Sequence, residues 1–105
     1  MKNRKYELRY LPIFYDDLNK VIGYIGNKLR NPQAAEKLLQ QVENAIIDRS
    51  DCAEAFEPYQ SSRDRKHPYY TIYINNYVVY YAVIDHRVME MRRFLYKGQN
   101  RHDIV

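Results

Sequence analysis

The spacing of apolar residues changes partway along the chain, and this change constrains the fold more than any other feature of the sequence. Between residues 14 and 46 apolar side chains recur every three or four positions, which is the pattern of amphipathic helices. Between residues 69 and 96 they follow the pattern of strands separated by turns. Helices followed by a run of strands predict an α+β domain rather than an alternating α/β one.

The first helix is predicted over residues 14–29. Asp16 and Asp17 are placed in its first turn, where carboxylates interact favourably with the helix dipole. Gly23 and Gly26 fall inside the apolar stripe, and a glycine costs about 1 kcal/mol relative to alanine in a helix. We therefore expect the helix either to loosen at these glycines or to press closely against a neighbour there.

A strand precedes this helix and a second helix follows it. Residues 5–11 alternate polar and apolar side chains, and Pro12 removes a backbone donor where the alternation stops. Asn31 and Pro32 are typical of an N-cap and the first residue of a helix, whose apolar stripe continues over residues 35–46. Because the connection is short, the two helices are expected to form an antiparallel hairpin.

Three strands are predicted after the helices, over residues 69–74, 77–84 and 88–96. The pair Asn75 and Asn76 and the group at 85–87 have turn sequences, so the strands should form an antiparallel meander. The order β-α-α-β-β-β therefore predicts an α+β domain in which a helical hairpin packs on one face of an antiparallel sheet. The other face is expected to be open to solvent or to a partner.

Length and composition indicate one folded domain, which we place at residues 1–105. The single Cys52 excludes an internal disulfide, and no Cys or His stands at metal-ligand spacing, so neither a metal nor another cofactor is expected. No apolar run is long enough to predict a membrane span, and a cytoplasmic location is expected. The net charge of +4 suits nucleic acid, an acidic protein partner or only solubility.

The segment at 77–85 reads YVVYYAVID, and residues 93–96 read RFLY shortly before Arg101, His102 and Asp103. These motifs, in this order of elements, resemble the RelE/ParE superfamily of bacterial toxins over essentially the whole chain. The resemblance implies a toxin of a type II toxin-antitoxin, or plasmid stabilisation, module, which arrests growth and is neutralised by an antitoxin protein. Two activities occur in the superfamily, namely metal-independent cleavage of mRNA on the ribosome and poisoning of DNA gyrase.

Arg92, Arg93 and Tyr96 are the candidate catalytic residues. Cleavage of RNA without a metal needs cations at the phosphate and a group that transfers a proton. Strict alternation along the last strand places Arg92 and Tyr96 on the open face of the sheet. The resemblance instead aligns Arg93 with the family's arginine, and only a bulge would let Arg93 share a face with Tyr96. We keep both arginines as candidates.

A second group of candidates has side chains suited to the phosphates of nucleic acid. These residues are Arg63, Arg65, Lys66, His67, Arg101 and His102. The first four crowd cationic side chains into one polar loop, where flexible cations suit phosphate contacts, and the alternative is a loop that is simply solvated. The last two reach the site only if the tail folds back, and the alternative for them is an exposed terminus.

Three functions stay open from the sequence. The first is a ribosome-dependent mRNA endonuclease, or mRNA interferase, whose partners are the ribosome, mRNA and the antitoxin. The second is a gyrase poison without nuclease activity, favoured by Val78, where the family commonly has an arginine, and by the sequence RFLY at 93–96, which resembles the ending of ParE. The third is a non-catalytic RNA-binding module that presents a tyrosine-rich sheet for base stacking. We rank the nuclease first, because the basic loop and the pairing of Arg92 with Tyr96 give it a physical site.

Overall fold

The computed structural model of the chain describes residues 5–59 and 66–98. Within them the elements are β1 (Glu7–Tyr10), α1 (Pro12–Gly23), α2 (Pro32–Arg49), β2 (Tyr70–Ile74), β3 (Tyr77–Ile84) and β4 (Val88–Tyr96). The predicted order β-α-α-β-β-β is confirmed, and the domain is α+β with both helices packed on one sheet. None of the helices in this part of the chain is long and apolar enough to cross a bilayer.

These strands form one sheet in the order β1-β4-β3-β2. β3 pairs with β2 and β4 in antiparallel fashion, whereas β1 pairs with β4 in parallel, from Glu7 opposite Val88 to Tyr10 opposite Met91. The prediction of a fully antiparallel sheet is therefore wrong, because the sheet is mixed. Side-chain alternation indicates which residues of a strand share a face, but it carries no information about the direction of the neighbouring strand.

The first helix changes its winding near its two glycines. Directly after α1, residues Tyr24–Lys28 form a π-helical turn, in which the Leu29 amide donates to the Tyr24 carbonyl over 3.0 Å. A Cβ built on Gly26 would lie 3.6 Å from the Cβ of Ala35 in α2, which is ordinary van der Waals contact. The segment therefore loosens, and Gly26 also lies against the second helix.

The local signals at the start of α2 and in the hairpins are confirmed. The Asn31 side chain accepts a hydrogen bond from the Ala34 amide at 3.1 Å, and α2 begins at the intervening proline. The β2–β3 turn places Asn75 at a φ of 54°, and the β3–β4 turn places Asp85 and His86 at 54° and 56°. Asn, Asp and His adopt this left-handed region more readily than most residues, so both turns suit their sequences.

The main core lies between the two helices and one face of the sheet. Its buried side chains include Phe14, Leu18, Leu38, Val42 and Ile46 from the helices and Ile72, Val79, Tyr81, Met89, Met91 and Phe94 from the strands. Full burial of an apolar side chain of this size contributes about 1.5–3 kcal/mol. This face therefore supplies much of the free energy that holds the helices on the sheet.

The opposite face of the sheet is also covered, which contradicts the expectation of an open face. Val78, Tyr80 and Ala82 of β3 are fully buried there. The rings of Tyr59 and Tyr69, at the two ends of the loop before β2, lie 5.3 and 6.2 Å from the ring of Tyr80 between centroids. Tyr59 and Tyr69 lie in a stretch of sequence without apolar periodicity, so the sequence pattern did not indicate that their rings cover the sheet. Tyr80 is consequently a core residue and presents no ring for base stacking.

Tyr81 links the loop after α2 to the sheet through its hydroxyl, which donates to the Ala53 carbonyl at 2.8 Å and accepts from Arg49 at 3.0 Å. We expect Tyr81→Phe to lower the free energy of unfolding by about 1–3 kcal/mol, because the Ala53 carbonyl and the Arg49 guanidinium each lose a hydrogen bond. Tyr73→Phe, at an exposed position of β2, should change it by less than about 0.5 kcal/mol. Urea denaturation measures both values, and equal losses in the two variants would contradict this role for Tyr81.

Candidate functional site

A β-bulge in the last strand determines where the candidate residues point. The pairing of β4 with β3 jumps from Arg93 to Met91, so Arg92 is an extra residue in β4. A bulge resets the alternation of side chains, and Met91 before it and Phe94 after it both pack in the main core. Strict alternation predicted that Phe94 lies on the face opposite the helices together with Arg92. That prediction is wrong for Phe94 and for the rest of β4 after it.

The bulge also separates Tyr96 from Arg92. Tyr96 pairs with Tyr77, and their rings meet edge-on with centroids 5.9 Å apart. Tyr77 packs against the main core, so Tyr96 lies on the helix side of the sheet. The Arg92 guanidinium lies 5.7 Å from the ring centroid of Tyr69, which belongs to the opposite face. The expectation that Arg92 and Tyr96 share a face is therefore wrong. Arg93 and Tyr96 both follow the bulge at an odd spacing, so side-chain alternation still places them on opposite faces.

Arg93 is bound by a buried carboxylate of α1. Its Nε donates to Asp17 Oδ2 at 2.7 Å, and its NH2 group donates to Oδ1 at 2.9 Å. The Phe94 amide also donates to Oδ2, at 3.0 Å. Because β1 pairs with β4 only as far as Met91, Asp17 satisfies an amide of β4 beyond the end of β1. We call this pair the Arg93–Asp17 clasp, and it fixes α1 beside the end of the sheet.

The clasp changes the interpretation of both residues. Asp17 is 9% exposed, and its hydrogen bonds, more than its charge, raise the pKa of the Arg93 guanidinium. No acidic residue lies in the first turn of α1, so the expectation that Asp16 and Asp17 serve the helix dipole there is wrong. The helix begins earlier than the apolar stripe indicated, at Pro12. With two donor groups engaged by Asp17, Arg93 has a structural role.

On the face opposite the helices, two arginines share one carboxylate. Arg92 NH2 lies 2.6 Å from Glu90 Oε1, and Arg9 NH1 of β1 lies 3.3 Å from Oε2. Glu90 is buried, whereas the Arg9 side chain is half exposed. This Arg9–Glu90–Arg92 cluster has two cations for one carboxylate, and guanidinium groups suit contact with phosphate. Sequence reasoning did not select Arg9 or Glu90, because they meet only through the parallel register of β1 and β4.

Part of the predicted basic loop belongs to the described residues. Lys66 is exposed and His67 is half-buried, and both lie shortly before Tyr69, whose ring is near Arg92. Tyr69 therefore brings the end of this loop to the sheet face that carries Arg92. The other candidates for phosphate contact, Arg63, Arg65, Arg101 and His102, lie outside the described residues.

A second hydrogen-bonded group joins the start of β1, the loop after α2 and the β3–β4 turn. The Tyr6 hydroxyl donates to Glu54 Oε1 at 2.7 Å, and His86 Nδ1 lies 2.7 Å from Glu54 Oε2. The bond to Glu54 raises the pKa of Tyr6 to about 12, and the same bond lowers the pKa of Glu54. The His86 side chain is 87% exposed, so this group connects surface segments rather than forming an enclosed acid-base site.

An apolar groove lies between the two helices. It encloses about 180 Å³, and its lining includes Phe14 and Tyr15 of α1 with Leu39 and Val42 of α2. Tyr15 and Leu39 are also exposed, at 47% and 40%. Exposed apolar side chains beside a groove are typical of surfaces that bind an amphipathic helix of a partner.

No group of three His, Cys, Asp or Glu side chains within residues 5–59 and 66–98 is placed to hold a metal ion. The sequence matches no protein-family model and no curated protein.

The Arg93–Asp17 clasp should stabilise the fold more than an exposed ion pair does. We expect Asp17→Ala and Arg93→Ala each to lower the free energy of unfolding by about 2–4 kcal/mol, because each leaves a largely buried charge without its partner. The double variant should lose less than the sum by about 1–3 kcal/mol. Asp16→Ala, at the exposed neighbouring position, is the control. Strictly additive losses in urea denaturation would show that the two side chains do not interact.

The hydrogen bond between Tyr6 and Glu54 should make stability depend on pH. Near neutral pH we expect Tyr6→Phe to lower the free energy of unfolding by about 1 kcal/mol. The raised pKa of Tyr6 means that this contribution is complete below the ordinary value of 10.0 and is lost as pH rises through about 12. The lowered pKa of Glu54 means that it also declines as pH falls below the ordinary value of 4.5.

Denaturation of wild type and Tyr6→Phe in acid, near neutrality and in alkali measures this difference, with Tyr73→Phe as the control. The gap between wild type and Tyr6→Phe should be largest near neutrality. A gap of the same size at all pH values would contradict an ionic contribution from Glu54.

Proposed function

We propose that this chain is a growth-arresting toxin of the RelE/ParE type, which binds RNA phosphates on the sheet face opposite its helices and cleaves mRNA held on the ribosome. The resemblance of the sequence supports the toxin class, and the observation that supports a phosphate-binding face is the Arg92 guanidinium, which lies near Tyr69 at the end of the basic loop. The Arg93–Asp17 clasp keeps the strand that bears Arg92 in place. In this proposal Arg93 is a positioning residue.

The chemistry of the cleavage assigns a role to each group on this face. A cation must stabilise the charge at the phosphate, and a proton must leave the 2′-hydroxyl and reach the departing oxygen. Arg92 supplies the cation, through a planar group whose donors match phosphate oxygens. His67 is the candidate for proton transfer, because it ends the basic loop near Tyr69 and because imidazole suits proton transfer near neutral pH. Tyr96 lies on the other face and takes no part in this step.

The apolar groove between the helices supports an antitoxin partner. A groove of this kind accepts the apolar side chains of an amphipathic helix, with Tyr15 and Leu39 at its exposed rim. The groove lies on the helix side of the sheet, away from Arg92. An antitoxin helix bound there would therefore leave the phosphate-binding face to be blocked by another segment of the same partner.

The position of Tyr96 favours a second candidate, a gyrase poison without nuclease activity. Tyr96 and Arg92 lie on opposite faces, so the arginine and tyrosine pair that the sequence predicted as catalytic does not assemble. A poison acts by binding and needs no proton transfer. The third candidate, a module that stacks bases on a tyrosine-rich sheet, is disfavoured because Tyr80 and Tyr69 are buried.

Inducible expression in bacteria tests the proposal. We expect growth arrest together with cuts in a reporter mRNA, mapped by primer extension, and we expect both to be lost in Arg92→Gln because the phosphate loses its cation. Lys37→Gln, which removes one positive charge from an exposed site of α2, should behave as wild type. Urea denaturation of purified Arg92→Gln shows whether that variant is folded.

The other outcomes separate the candidates. Growth arrest with intact mRNA and inhibited supercoiling by purified gyrase would replace the nuclease by the gyrase poison. Normal growth at high expression would overturn the toxin proposal altogether. Retained cleavage in Arg92→Gln would show that another cation binds the phosphate.

A further inference from the structure

Arg9 and Arg92 come from two neighbouring strands, and they meet because the parallel register sets Arg9 opposite Glu90. Each carboxylate oxygen of Glu90 contacts a different arginine, at 3.3 Å for Arg9 and at 2.6 Å for Arg92. Glu90 is only 8% exposed. The cluster therefore keeps one net positive charge around a carboxylate that is largely hidden from water.

The Arg92 guanidinium is only partly used by this carboxylate. Its NH2 group contacts Glu90, while its Nε is buried and has no hydrogen-bond partner among the described residues. A guanidinium presents Nε and a terminal nitrogen as a fork that two oxygens of one phosphate can fill together. Glu90 thus uses only part of the donor capacity of Arg92, whose buried Nε becomes reachable for a phosphate oxygen once the side chain leaves Glu90.

We propose that Glu90 is a resident anion that competes with an RNA phosphodiester for Arg9 and Arg92, and so sets how tightly this face holds RNA. This inference rests on the proposed function and names the ligand of the same site. The phosphodiester contacts Arg9 first, because the Arg9 side chain is half exposed on the edge strand β1. Arg92, at 22% exposure, binds the phosphate as Glu90 releases its terminal nitrogen.

The charge of the cluster favours a phosphodiester over free phosphate. A phosphodiester carries a single negative charge, so the two arginines, Glu90 and the ligand sum to zero. Inorganic phosphate at slightly alkaline pH carries a second charge, which would leave an excess negative charge beside the buried carboxylate. Buried charge without compensation is unfavourable, so the monoanion is the preferred ligand.

Binding of a labelled single-stranded RNA to the full chain, followed by fluorescence anisotropy at several salt concentrations, tests the competition. We expect Glu90→Gln to bind at least about threefold more tightly, because the competing charge is gone. We expect Arg9→Gln to bind roughly tenfold more weakly, with a salt slope smaller by about 0.7. Glu36→Gln and Lys37→Gln, which make the same charge changes on the exposed surface of α2, should bind as wild type does.

Several results would overturn the inference. One is unchanged RNA binding in Arg9→Gln, an exposed change that leaves the core intact. Another is an equal gain in Glu90→Gln and Glu36→Gln, which would show a general effect of net charge. Dimethyl phosphate should compete with RNA better than inorganic phosphate does, and the reverse order would exclude a phosphodiester site.

The growth assay keeps this inference separate from the proposed function. If wild type arrests growth but Glu90→Gln and Arg9→Gln bind RNA as wild type does, the competition by Glu90 is wrong and the toxin proposal stands. If wild type does not arrest growth, the toxin proposal is wrong, whatever the variants do in the binding assay.

Discussion

Asp17 reaches from α1 to the end of β4, where its two oxygens bind the Arg93 guanidinium and the Phe94 amide. A buried carboxylate is costly to remove from water, so it is stable only where donors surround it. These bonds also satisfy the Phe94 amide, which lies past Met91, the last residue of β4 that pairs with β1. The packing of α1 against the end of β4 depends on these bonds.

Arg92 and Arg93 are neighbours in sequence, yet they do different work. Arg92 lies on the face near Tyr69 and shares the Glu90 carboxylate with Arg9, and the bulge shifts the alternation only for the residues that follow Arg92. Arg93 instead binds Asp17 of α1. Arg93 therefore holds the strand. Arg92 shares Glu90 with Arg9, whose side chain is half exposed. The two neighbouring arginines therefore have different partners, because Arg93 binds Asp17 and Arg92 contacts Glu90.

Features with local causes could be predicted from the sequence. The Asn31 cap, the turn at Asn75 and the loosened winding near Gly26 all depend on residues within a few positions of one another. The bulge and the parallel pairing of β1 depend on contacts between distant residues, so alternation alone placed Tyr96 on the wrong face. Asp17 was misassigned for a similar reason, because its partner lies far along the chain. The rings of Tyr59 and Tyr69, which cover the second face, lie in a stretch of sequence without a periodic signal.

The parallel pairing of β1 with β4 has a consequence for the order of folding. Arg9 and Glu90 are 81 residues apart in a sequence of 105, so their meeting closes a long loop of the chain. Contacts of such long sequence separation form slowly, after local ones such as the helical hairpin and the β2–β3–β4 meander. The two arginines therefore come together only when the last strand has been made and the first has docked beside it. A ribosome that is still synthesising the chain therefore meets no assembled Arg9–Glu90–Arg92 cluster.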